Sequence, residues 1–170
     1  MQRAKKYLKE HANEWIKTLT EKEIKYITKY TYNPGDEKPE RLFERLNSML
    51  RGDTEFDQEL EDIANEISEG LKKFELDQNI ICYRRTDLDY TSGIEVGESF
   101  IIKQFTSTSI DDGATIRGDV LTVYYVKKGT SGAYVEPLSA FPKQKEFLID
   151  RDIYATVKSR KGNVIEVEVG

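Results

Sequence analysis

The spacing of apolar residues along this chain changes character once, near Asn79. Before that point the spacing is helical. Tyr7, Leu8, Ala12, Trp15 and Ile16 fall on one face of a helix predicted over residues 3–17. Thr20 and Glu23 then form a capping box, in which the Thr20 hydroxyl bonds a free backbone N–H and Glu23 reaches back. The helix they open turns Ile24, Ile27 and Tyr30 inward. Asn33-Pro-Gly-Asp36 reads as a turn, and Pro39 suits the first position of the next helix, which carries Leu42, Leu46 and Leu50. After Gly52, either Asp53 or Thr54 caps a longer helix with Phe56, Leu60, Ile63, Ile67 and Leu71 on one side.

From Asn79 onward, short β-branched and aromatic runs take over: 80–83, 99–105, 120–126, 133–135, 146–149, 153–158 and 164–169. Gly- and Asp-rich turns separate them. Helices followed by strands predict an α+β fold, with helices packed on one side of antiparallel sheets. At 170 residues, one domain over 1–170 is expected, its helical half about 1–78 and its β half about 79–170.

Composition removes several kinds of chemistry. The chain has one histidine, His11, in a charged helix, and one cysteine, Cys82, in a buried-strand context. This disfavours Ser-His-Asp and Cys-His catalysis, internal disulfides and a cysteine-rich zinc site, and leaves carboxylate chemistry. The net charge of −5 weighs against a nucleic-acid partner. No apolar run reaches the roughly 18 residues of a membrane span. The basic start is not followed by an apolar stretch, so no signal peptide is visible.

Three segments of the β half carry candidate chemistry. Arg84 leaves an apolar strand, where a guanidinium fork suits phosphate or ribose oxygens, though surface arginines in ion pairs are common. Phe105-Thr-Ser-Thr-Ser-Ile110 places several hydroxyls in one strand, with Ser107 and Ser109 on one side and Thr108 on the other. Buried hydroxyls need partners, and a carboxylate on a neighbouring strand would be one. In Phe141-Pro-Lys-Gln-Lys-Glu146, an aromatic residue at a turn precedes Gln144 and Glu146. They stand at a strand entrance, where alternation should point both the same way.

In this order, Tyr83-Arg84, Ser107-Thr108-Ser109 and Gln144-x-Glu146 with an aromatic three residues earlier resemble the signature of mono-ADP-ribosyltransferase toxins. The likeness is greatest to the small Rho-modifying exoenzymes of clostridial and bacillary type. It extends to Leu46-Asn-Ser-Met-Leu-Arg51 in the helical half, and so over about residue 12 to the end. The resemblance implies helices packed on a two-sheet antiparallel β core, NAD as substrate, no metal, and release of nicotinamide. Glu146 would hold the nicotinamide ribose, Ser107 would orient Glu146, and Arg84, Asn47 and Arg51 would bind phosphate or ribose. Gln144 would bond an acceptor asparagine and Phe141 would touch the acceptor protein. Arg117 falls in the place of the family's phosphate–nicotinamide loop, which here lacks an aromatic residue, so Tyr124 or Tyr125 is the alternative ring for nicotinamide.

The implied partner is a Rho-type small GTPase, modified in the target-cell cytosol by a secreted, monomeric enzyme. Members that modify arginine tend to carry Glu where Gln144 stands. The alternatives are another acceptor (arginine, a different host protein or a nucleic-acid base) and a catalytically silent NAD- or protein-binding module.

Overall fold

The computed structural model describes residues 2–32, 41–114, 118–139 and 142–170. Four helices come first: α1 (Gln2–Ile16), α2 (Glu21–Thr31), α3 (Leu42–Arg51) and α4 (Gln58–Lys72). At α2 the capping box is formed as the sequence predicts: Glu23 N–H donates to Thr20 Oγ1 (3.1 Å) and Thr20 N–H to Glu23 Oε1 (2.9 Å). Such a cap contributes about 1 kcal/mol to a helix end. The expected turn at Asn33–Asp36 and the Pro39 helix start lie outside the described residues.

The start of α4 differs from expectation. Its cap is Asp57, whose Oδ1 accepts from the N–H groups of Glu59 (2.9 Å) and Leu60 (3.3 Å). Asp53 instead belongs to the end of α3: Gly52 adopts φ 85°, and Asp53 N–H folds back onto Ser48 O (2.8 Å). Phe56, expected on the buried stripe, precedes the helix and is 68% exposed.

Eight strands follow: β1 (Ile80–Thr86), β2 (Ser99–Ile102), β3 (Thr106–Ser109), β4 (Val120–Val126), β5 (Gly132–Tyr134), β6 (Glu146–Ile149), β7 (Ile153–Lys161) and β8 (Val164–Val169). They form one ladder in the order β2-β7-β8-β4-β1-β3-β6-β5. The five-strand and three-strand parts meet at a single pair, Tyr83 opposite Ser109. The two expected sheets are thus joined beside Arg84, which lies within β1, opposite Thr122, rather than at the strand's end as expected. All pairings are antiparallel except β4 with β8, which is parallel. The expected run 99–105 breaks at Ile102. Phe105, 2% exposed, sends its N–H to Asn47 Oδ1 (3.2 Å) rather than into a ladder.

Helices α1 and α4 pack against β5, and α2 packs on α4. A Cβ at Gly70 would stand 2.9 Å from Ile27 Cδ1, so glycine permits the close approach of α2 and α4. Trp15 ties α1 to α4 at the same glycine, donating from Nε1 to Gly70 O (2.8 Å). Asp150, 2% exposed, accepts from Ser68 (2.8 Å) and Ser131 (2.7 Å) and ties α4 to the sheet. Cys82 is fully buried under Thr108, and burial pushes its thiol up to about 12. Among the described residues, no helix is long and apolar enough to cross a membrane.

Candidate active site

Glu146 begins β6 directly opposite Ser109 on β3. Its backbone oxygen accepts from Val135 N–H (3.0 Å), so both neighbouring strands fix it. Its side chain is buried, and Oε2 has no hydrogen-bond partner among the described residues. Burial raises its pKa to about 7; a Ser107 hydrogen bond and the Arg84 charge pull the other way. Ser107 is the diagonal neighbour of Glu146 across the β3–β6 pair, on the same face. Thr108 donates to Phe147 O (2.6 Å) and Ser109 to Asp111 O (2.8 Å), whereas Thr106 Oγ1 is buried without a partner among the described residues.

Arg84 crosses the single-pair joint between the sheet halves, its Nη1 donating to Ser107 O (2.8 Å). The adjacent Arg85 is paired with Asp112 (2.9 Å), whereas Arg84 has no carboxylate partner among the described residues. A half-buried guanidinium beside a buried, unpartnered carboxyl oxygen is poorly satisfied by the protein alone. Both groups are free to take an external ligand.

Gln144 ends a short 3₁₀ turn (Pro142–Gln144), and Lys145 adopts φ 48°. Strand alternation therefore does not set the relation of Gln144 to Glu146, contrary to expectation. A left-handed residue between them does. Both nevertheless line one cavity of about 120 Å³ with Ser107, Arg84, Phe105 and Tyr30. It adjoins two larger cavities of about 650 and 220 Å³, and all three share Asn47 and Arg84. The result is an extended cleft with a buried acid at one end and Arg51 and Arg45 along it.

Asn47 lines this cleft, but its amide already has structural partners. Nδ2 donates to Tyr30 Oη (2.8 Å) and Oδ1 accepts from Phe105 N–H. Only one amide hydrogen remains for a ligand. Asn47→Ala is expected to destabilise the fold by about 1–3 kcal/mol, because it strands the buried Phe105 N–H; a thermal melt checks this. Arg51 lines two of the cavities while bonding Asp53 (3.0 Å) from Nε.

Of the two candidate rings, Tyr124 lines the 220 Å³ cavity close to Arg84. Tyr125 points to the opposite face and donates to Glu166 (2.6 Å). Arg117 and Phe141 lie outside the described residues. Tyr90, 64% exposed, lines both larger cavities and was not singled out by the sequence. It lies in a turn-rich loop, where no periodicity marks it. Among the described residues no group of three or more His, Cys, Asp and Glu side chains is placed to hold a metal.

A model of the ADP-ribosyltransferase exoenzyme family matches residues 4–168. The chain belongs to that family. The cleft, with its buried acid and its arginines, is that of an ADP-ribosyltransferase domain. An arginine ADP-ribosyltransferase of Enterococcus faecalis is 27% identical over a 175-residue alignment, covering 95% of this chain and 34% of the relative. The chain thus spans about a third of that relative's length. In fold it resembles Plx2a of Paenibacillus larvae (TM-score 0.80, 23% identity, 99% and 96% of the two chains covered). It also resembles the C3 exoenzyme of Clostridium limosum (TM-score 0.81, 20% identity, 99% and 94% covered).

Proposed function

We propose that this member transfers ADP-ribose from NAD to an asparagine side chain of a Rho-type small GTPase. The supporting observation is that Gln144 and Glu146 line one cavity with Ser107 and Arg84. Splitting NAD at the nicotinamide–ribose bond develops positive charge on the ribose, as in glycoside hydrolysis. The ionised Glu146 carboxylate, oriented by Ser107, is placed to accept from a ribose hydroxyl and oppose that charge. Arg84, lacking a carboxylate partner, binds a phosphate of NAD, with Arg51 and Arg117 as further cations and Asn47 as a brace with one free hydrogen.

Gln144 supplies both a donor and an acceptor, which matches the amide of asparagine; a carboxylate there would suit the cation of arginine instead. Phe141, three residues before Gln144 in the sequence, is assigned to contact with the acceptor protein. Residues 1–170 then form one catalytic domain of a secreted, monomeric toxin enzyme acting in the target-cell cytosol.

The E. faecalis relative's name favours a second acceptor, arginine. Incubation of a Rho-type GTPase with the enzyme and biotin-labelled NAD, followed by mapping of the modified residue, separates the two. Labelled asparagine supports the proposal, and labelled arginine replaces it. Gln144→Ala is expected to lower transfer to protein about tenfold, the equivalent of one hydrogen bond. Nicotinamide release should persist in that variant. Equal loss of both activities would refute the division of roles.

A further inference from the structure

Lys145 separates the two residues assigned to acceptor and ribose, and its backbone is in a region that side chains with a Cβ disfavour. Three contacts hold it there. Its N–H donates to Pro142 O (3.1 Å), its O accepts from Ile110 N–H (3.1 Å), and its Nζ reaches Asp111 Oδ2 (3.2 Å). Asp111 is itself fixed from several sides. Lys5 Nζ from α1 bonds the same oxygen (3.1 Å), Gly113 N–H donates to Oδ1 (3.0 Å), and Asp111 N–H donates to Ser109 Oγ (3.1 Å). Ser109 is the residue opposite Glu146.

We propose that Asp111 is a positioning residue for transfer to the acceptor. By holding Lys145 left-handed, it sets the direction of Gln144 relative to Glu146. Glu146 is locked into β6 by its ladder partners, so a change at Lys145 re-aims Gln144 and leaves the acid in place. Asp111 and Lys145 are each about one-third exposed (29% and 35%), so their ion pair contributes little to global stability. The left-handed backbone of Lys145 is disfavoured on its own, and the pair adds to the two backbone hydrogen bonds that hold it there.

The chemical consequence concerns the fate of the ribosyl cation. The bond from ribose C1′ to the nicotinamide nitrogen breaks, and nicotinamide leaves with the electron pair. C1′ then bonds either the acceptor nitrogen or a water oxygen, and the attacking group gives up a proton. Gln144 favours the first route only while it faces the acceptor, so Asp111 governs the ratio of transfer to hydrolysis. The inference rests on the roles given above to Gln144 and Glu146.

The test measures that ratio with biotin-labelled NAD, using eukaryotic lysate supplemented with a purified Rho-type GTPase, against nicotinamide release without acceptor. Asp111→Asn, which keeps the Gly113 bond, is expected to lower the ratio about fivefold through KM for the acceptor. Lys145→Gln should do the same, and the double variant should be no worse than either single one. Lys145→Arg should restore the parental ratio, and Lys5→Gln, which leaves the Lys145 pair intact, should keep it within twofold. An unchanged ratio in Asp111→Asn, or equal loss of both routes, overturns the proposal if Gln144→Ala still collapses the ratio. If Gln144→Ala leaves the ratio unchanged, the underlying acceptor reading fails instead.

Discussion

Glu146→Gln is expected to lower nicotinamide release from NAD about a thousandfold, the upper range for loss of one preorganised electrostatic group. The substitution preserves shape and removes only the charge that opposes the developing ribosyl cation. Because burial raises the Glu146 pKa to about 7, the parent's kcat/KM for NAD should rise with pH through about 7 and level off above it. The glutamine variant should lack that limb. Parental turnover in Glu146→Gln, or persistence of the limb, would remove Glu146 from the mechanism.

The same acid makes a second, opposite prediction about stability. Its folded pKa of about 7 lies above the ordinary glutamate value of 4.5, so between those pH values the folded state binds more protons than the unfolded one. Stability therefore falls as pH rises through this window, and the ionised acid costs on the order of 3 kcal/mol above it. Glu146→Gln should melt higher than the parent at pH 8 and close to it at pH 4. An enzyme that loses activity while gaining stability is the expected mark of a buried acid kept for chemistry.

Arg84→Met should lower kcat/KM for NAD about a hundredfold, corresponding to the loss of one or two charge-assisted hydrogen bonds to the substrate. The Arg84 charge pulls the Glu146 pKa down, so its removal should also move the remaining pH limb to higher pH. A simple loss of folding would not shift that limb. Unchanged KM for NAD in this variant would contradict the assignment of Arg84 to the dinucleotide.

The parts of the fold set by local chemistry were legible in the sequence. The Thr20–Glu23 cap is local hydrogen bonding, and the strands 120–126, 146–149 and 164–169 are bounded by turns, so their limits agree with the structure. What was not legible depends on distant partners. Parallel pairing of β4 with β8 joins segments far apart in sequence, and no alternation pattern reveals strand direction. Asp57, rather than Asp53, caps α4 because the end of α3 had already claimed Asp53. The structure brings Arg84, Ser107, Gln144 and Glu146 to one cavity, yet the reason for Gln144 differs from expectation: a left-handed lysine, not strand alternation. The bracing role of Asn47 is not legible because its partners, Tyr30 on α2 and Phe105 between β2 and β3, are distant in sequence.

Cys82 has a practical consequence for following acceptor binding. Its thiol is fully buried and protonated at any pH near neutrality, and a maleimide reagent reacts with an accessible thiolate. A new cysteine placed on an exposed position, such as Lys143 beside Gln144, would be the single reactive thiol of the folded enzyme. A fluorophore there could report acceptor docking in real time, with the native sequence needing no other change.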